Sequence, residues 1–204
     1  MIESILINGA ILGGIYALLA LGFTLIYGVS GVINLAHGAF FMLGAFVFSA
    51  IGAFALSAFR PFGVPTIIPL VCALILAAIV VGAIGSIVHR LTIHPILGDD
   101  IAIMVVTVSL ALIFQQLMLI VFETSSAPVP PLVSGFVDIW GVRVIYMKLL
   151  AFFLSLGLFF SLWIFITKSK IGKAMRAVSQ DREVAMLMGI NTERLYMLTM
   201  AISA

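Results

Sequence analysis

Charge is what this sequence has least of. Only 9% of its 204 residues are Asp, Glu, Lys or Arg, while 64% are hydrophobic, against an apolar share of about 45–50% in soluble domains. From Ser4 to Phe59 there is no Asp, Glu, Lys or Arg at all. A water-soluble globular domain is therefore excluded, and the chain reads as a polytopic membrane protein. Its single cysteine, Cys72, lies in an apolar run, which excludes an intramolecular disulfide and leaves the redox compartment open. The amino terminus carries Glu3 and lacks a basic leader region, and the apolar stretch behind it is too long for a signal peptide, so it is expected to be a retained first span. A Gly-x-x-x-x-Gly-Lys-Ser/Thr phosphate loop is absent, so ATP hydrolysis and a nucleotide cofactor are not expected here. The net charge of +2 leaves no footprint for nucleic acid.

What is present is a series of apolar segments, each near the roughly 20 residues that one crossing takes. They are expected at Ile5 to Tyr27, Phe40 to Phe59, Thr66 to Val88, Ile101 to Phe122 and Met147 to Thr167. Leu195 to Ala204 begins a sixth at about half the needed length, so the chain is expected to be incomplete at its carboxyl end. Gly9 and Gly13 form a small-residue pair, with Ala10 and Gly14 a second one step on, of the kind that lets helix backbones approach closely. Between the first two segments lies Gly28-Val29-Ser30-Gly31-Val32-Ile33-Asn34-Leu35-Ala36-His37-Gly38. Irregular backbone at membrane depth is tolerated only inside protein or beside water, so this run predicts a broken or re-entrant helix near residues 28–44. Asn34 and His37 are three apart and would share a helix face. Either they serve transport or they satisfy carbonyls freed by the break. Gln115 or Gln116, in the fourth span, must face a bundle or a cavity.

Between the spans the polar segments differ in kind. His89 and His94 are five apart with Pro95 following, a spacing that does not place them on one helical face, so a metal site is not expected. Asp99 and Asp100 are placed to cap and charge the amino end of the next helix. Pro128, Pro130 and Pro131 keep their stretch extended, and Val137 to Ile145 predicts a short hairpin bending at Gly141, with Trp140 and Tyr146 suited to the membrane interface. Lys168 to Arg194 holds six of the ten basic and three of the eight acidic residues. Within it Ile171, Ala174, Met175 and Val178 mark one face of an amphipathic helix. Asp181 is placed to cap a second short helix, Gly189 to end it and Asn191 to cap the next. By the positive-inside bias this segment is cytoplasmic, which puts residues 123–146 outside.

The run Gly13-Gly14-Ile15-Tyr16-Ala17-Leu18 to Gly22-Phe23-Thr24-Leu25-Ile26-Tyr27-Gly28, the motif Ile33-Asn34-Leu35-Ala36-His37-Gly38, and the blocks Ser169 to Ala177 and Leu187-Met188-Gly189-Ile190-Asn191 together resemble the permease family of branched-chain amino acid ABC importers, of the LivH type. The resemblance covers residues 1–204 and about the first two thirds of a typical member. It implies an all-α polytopic transmembrane bundle in a bacterial inner membrane. It also implies a second permease of the LivM type, two cytoplasmic ATPase subunits that hydrolyse ATP, and a periplasmic solute-binding protein landing on residues 128–143. Gly172, Arg176, Ala177, Asp181 and Gly189 then occupy the positions of a cytoplasmic coupling helix, with the apolar face of Ile171, Ala174, Met175 and Val178 set in the ATPase. Asn34, His37 and Gln115 are the candidate pathway residues. A secondary transporter or channel is the alternative, but it requires titratable groups within the spans. His37 alone is available in Ser4 to Phe59 and Ile101 to Phe122.

Overall fold

The computed structural model describes residues 2–62, 64–122 and 135–204. Its elements run α1 (Ile2–Ser30), α2 (His37–Phe59), α3 (Ile67–Val88), α4 (Asp100–Phe122), β1 (Phe136–Ile139), β2 (Val142–Ile145), α5 (Tyr146–Lys168), α6 (Lys170–Gln180), α7 (Arg182–Leu187) and α8 (Thr192–Ser203). Among the described residues five helices are long and apolar enough to cross a membrane, namely α1, α2, α3 with the turns that continue it to Ile96, α4 and α5. The expected spans are present and the fold is an all-α membrane bundle with one added hairpin. The expected extended stretch around Pro128, Pro130 and Pro131 lies outside the described residues.

The chain divides into two compact units, residues 1–21 with 130–173 and residues 22–129 with 174–204. In the first unit the close approach of α1 to α5 is at Gly14, where an added Cβ would lie 2.6 Å from the Phe152 ring. Gly14 belongs to one of the two small-residue pairs expected to pack; Gly9 and Gly13, the other, have open space around them. Lys148 Nζ donates to Asn8 Oδ1 at 3.2 Å, joining the same two helices near their ends. The hairpin turns through Trp140 and Gly141 with φ of 50° and 76°. Both residues are left-handed, as the two-residue turn that matches strand twist demands. The strands pair Phe136 with Ile145 and Ile139 with Val142, and Val144 is buried while Phe136, Trp140 and Ile145 are exposed.

In the second unit the core is Ile26, Val32, Phe40, Leu43, Val81, Ile93, Ile103 and Met200. Phe40 meets Phe114 edge-on at 5.3 Å. Hydrocarbon gives apolar side chains no reason to leave lipid for one another, so helix association there rests on close packing by small residues. Helix α3 shows it: a Cβ at Gly82 would stand 2.9 Å from the Ala201 carbonyl oxygen, and one at Gly85 3.0 Å from the Ala204 methyl. Ser86 Oγ adds a hydrogen bond to the Met197 carbonyl of α8 at 3.3 Å.

This contact generates a test. Gly82→Val pushes a branched side chain into the α8 backbone, and overpacking of this kind costs about 1–3 kcal/mol. The purified full-length protein should show a lower midpoint of thermal unfolding in detergent than Gly13→Val, which enters open space. Equal midpoints would contradict the packing described.

Candidate functional site: the broken crossing and the charged segment

Helix α1 runs 29 residues, and at about 1.5 Å per residue it exceeds a hydrocarbon core of roughly 30 Å. It stops at Gly31, whose φ of 70° takes the left-handed conformation that ends helices. Residues 31–36 are then non-helical, and α2 begins at His37. The break expected near residues 28–44 is therefore present, and two long helices flank it.

Asn34 and the backbone N–H groups that follow it find partners inside the protein, while His37, in contact with the Phe23 ring, keeps a buried Nδ1 with no hydrogen bond. Asn34 is 1% exposed; its Oδ1 accepts from the Ala36 N–H at 3.0 Å and its Nδ2 donates to Met200 Sδ at 3.5 Å. The Leu35 N–H donates to Thr107 Oγ1 of α4 at 3.2 Å, and Thr107 passes its own hydrogen to the Met104 carbonyl at 3.1 Å. Asn34 and His37 do not share a helix face as expected. A local Asn side-chain turn competes with helix, so Asn34 sits in the break and His37 opens the next helix. The His37 ring is buried against Gly22, where a Cβ would lie 2.9 Å from its Cε1, and 6.2 Å from the Phe23 ring. Thr107 is the residue that sequence reasoning passed over as a group of the break. Its signal was a hydroxyl in a span that lies beside freed backbone.

Gln115 and Gln116 are both exposed on α4, on a surface that this chain leaves uncovered. Gln115 is therefore not brought together with Asn34 and His37 by any contact among the described residues. A small cleft of about 90 Å³ lies among Tyr27, Gly31, Ile33, Asp100, Ile103 and Met104. It does not take in Asn34, His37 or Gln115.

The charged segment begins with a tight corner. Ser169 is extended between α5 and α6, and its Oγ accepts from the Gly172 N–H at 2.9 Å. A Cβ at Gly172 would collide with the backbone carbonyl of Ile166 in α5, so only glycine allows the two helices to meet this closely. Helix α6 is amphipathic as expected, but Met175 and Val178 are buried within the chain at 1% and 4% exposure. Of the expected apolar face, Ile171 is exposed at 39% and Ala174 is half-buried, so only its Met175 and Val178 side is covered. Arg176 is exposed and Ala177 half-buried.

Asp181 and Gly189 do what their positions predict. Asp181 Oδ1 accepts from the Val184 N–H at 3.0 Å, and Gly189 at φ 83° closes α7 with hydrogen bonds from its own N–H to Met186 and from Ile190 N–H to Ala185. Asn191 Oδ1 caps α8 through the Arg194 N–H at 2.9 Å. Capped at both ends and anchored by buried Ala185, α7 presents Leu187 and Met188 at 86% and 79% exposure. Sequence reasoning missed this pair. Two large apolar residues just before a helix-ending glycine, in a charged stretch, were the available signal. Arg182 of α7 lies 5.5 Å above the ring of Tyr196 in α8.

At the end of α3 a π-turn, His89–Ile93, places His94 one turn above His89, with its N–H bonded to the His89 carbonyl. The five-residue spacing thus does put both histidines on one face, because a π-turn and not an α-turn joins them. His94 Nε2 stands 3.9 Å from a Glu193 carboxylate oxygen. Among the described residues no three His, Cys, Asp or Glu side chains are grouped to hold a metal ion.

A family model described as "Branched-chain amino acid transport system / permease component" matches residues 5–204. The chain is 31% identical over 206 residues to the "High-affinity branched-chain amino acid transport system permease protein BraD" of Pseudomonas aeruginosa, covering 98% of this chain and 66% of that protein. To the permease protein LivH of Escherichia coli K12 it is 31% identical over 204 residues, covering 97% and 65%. To the probable LivH of Methanocaldococcus jannaschii it is 28% identical over 203 residues, covering 94% and 60%. The chain thus spans roughly two thirds of the length of these relatives or less. No solved structure matches it. Since the broken crossing, the glycine corner and the capped charged segment all fall within the matched residues, the chain belongs to the family of branched-chain amino acid transport permease components.

Proposed function

We propose that this chain is a permease subunit of an ATP-driven importer in a bacterial inner membrane, carrying branched-chain amino acids or a related small polar solute by alternating access. Its partners are a second permease of the LivM type, two cytoplasmic ATPase subunits and a periplasmic solute-binding protein. ATP is hydrolysed by the partners, and the work reaches this chain through the charged segment α6–α7.

The observation that carries this reading is the way α6 and α7 are held. The Gly172 corner ties α6 to the membrane-spanning α5, and α7 is fixed at both ends by Asp181 and Gly189. Ordered helices continuous with a span can transmit displacement, and a loop without structure cannot. Because Met175 and Val178 are buried and Leu187 and Met188 are exposed, we take the main docking surface to be the end of α7, with Ile171 of α6 as a smaller apolar contact. Leu187 and Met188 are the apolar knob offered to an ATPase groove, with Arg176 and Arg182 as charged flanks. Gly172 and Ala177 act on this surface by positioning it. On the far side of the membrane the hairpin, with exposed Phe136 and Trp140, is the surface offered to the binding protein.

For the pathway, the buried and satisfied state of Asn34 favours a role in holding the break open, with His37 packed beside it. Gln115 is the candidate that a solute or a second permease could reach.

Two outcomes are expected. In the reassembled complex, Ala177→Pro removes a hydrogen bond from the middle of α6 at a local cost of about 3 kcal/mol. It should abolish solute-stimulated ATP hydrolysis while the unstimulated activity of the ATPase subunits persists; unchanged stimulation would refute the coupling role. Separately, Asn34→Ala strands the Ala36 N–H and should lower stability by about 1–3 kcal/mol, seen as a lower unfolding midpoint. Gln115→Ala should leave that midpoint in place and reduce solute uptake in proteoliposomes, and full uptake by it would remove Gln115 from the pathway.

A further inference from the structure

The corner between α5 and α6 carries a charge pattern that coupling to an ATPase does not use. Lys168 is the last residue of α5, Lys170 the first of α6, and Lys173 lies one turn on. All of them are exposed, and among the described residues none of them has an ion-pair partner. The sequence places no Asp or Glu between Asp138 and Asp181, so no nearby carboxylate in the chain order offsets them.

Their placement is fixed by the corner itself. Gly172 abuts the Ile166 backbone and is bonded to Ser169 Oγ, which sets where α6 leaves α5. Lys170 and Lys173 are three apart and share a face of α6. Lys168 continues a stripe of α5 at four-residue spacing, Phe160, Ile164 and Lys168, whose apolar members are 56% and 52% exposed. Trp163 stands beside that stripe, also exposed. An apolar stripe that runs directly into a basic cluster has the two-part chemistry of a phospholipid, acyl chain along the helix and phosphate at its end. Basic residues just beyond a membrane span attract anionic headgroups, and a free phosphate would have no use for the stripe.

We propose that Lys168, Lys170 and Lys173 form a binding site for the headgroup of an anionic phospholipid whose acyl chains lie along Phe160 and Ile164. The bound lipid would fasten the corner to the bilayer surface, giving α6 a fixed pivot.

The test uses the full-length permease in nanodiscs of phosphatidylcholine with a minor fraction of brominated phosphatidylglycerol or, in parallel, of brominated phosphatidylcholine. Trp163 is the reporter, read as the quenching that disappears in Trp163→Phe. Brominated phosphatidylglycerol should quench it at least about twofold more than the phosphatidylcholine control. The preference should survive excess inorganic phosphate and vanish in the triple variant Lys168→Gln, Lys170→Gln, Lys173→Gln. Equal quenching by the two lipids overturns the proposal, and so does a preference that inorganic phosphate abolishes, which would mark a site for a free anion. A triple variant that keeps the preference yet no longer retains the ATPase subunits overturns it in favour of a protein partner.

Discussion

Inside hydrocarbon every backbone N–H and C=O must find a partner within the protein, and the architecture of this chain follows from how it meets that demand where its helices stop. At the break after α1 the demand is met by side chains. Asn34 folds back on Ala36 and reaches Met200, and Thr107 supplies an acceptor for Leu35. These contacts draw α4 and α8 onto the segment between α1 and α2, so the irregular stretch becomes the centre around which the helices of its unit are packed. Phe40 and Met200, both almost fully buried, belong to the same core.

The charged segment is built on a different rule, that of close approach. One glycine without a Cβ lets the start of α6 turn against α5, and Met175 and Val178 of α6 are buried in the chain's own packing. The consequence is a division of roles along the segment. Helix α6 is anchored, α7 is capped and carried by it, and the large apolar residues at the end of α7 are left in the open. An exposed apolar pair at the end of a capped helix is what the proposed docking of an ATPase subunit requires. Tyr196 of α8, with Arg182 above its ring and His89 6.1 Å away, joins the base of α7 to the end of α3.

Much of this was legible in the sequence, for reasons that can be named. Span length is set by bilayer thickness, so the apolar runs gave the helices to within a few residues; Asp181, Gly189, Asn191 and Asp99 act through local hydrogen bonds, and local chemistry survives in one dimension. The hairpin at Gly141 belongs with them. What the sequence concealed was orientation about an axis. The apolar stripe of α6 was visible, but not that its Met175 and Val178 are buried by the chain itself while Ile171 stays exposed, which is a tertiary fact. Both small-residue pairs of α1 were visible too, but not that Gly14 of the second meets α5 while Gly9 and Gly13 stand in open space. His89 and His94 were misjudged because α-helical spacing was assumed where the chain makes a π-turn. Asn34 lost its helical partner His37 to a turn of its own making.

The central claim is that the charged segment is the handle by which ATPase subunits move this permease, and that they hold it at the end of α7. Site-directed cross-linking in the assembled transporter tests it most directly, with Leu187→Cys and Met175→Cys compared in a Cys72→Ser background. The account predicts that Leu187→Cys cross-links to an ATPase subunit in a manner that changes with bound nucleotide, and that Met175→Cys, buried in the chain, does not. Cross-linking from Met175→Cys alone, or labelling of Leu187→Cys from the external face of the membrane, would contradict it.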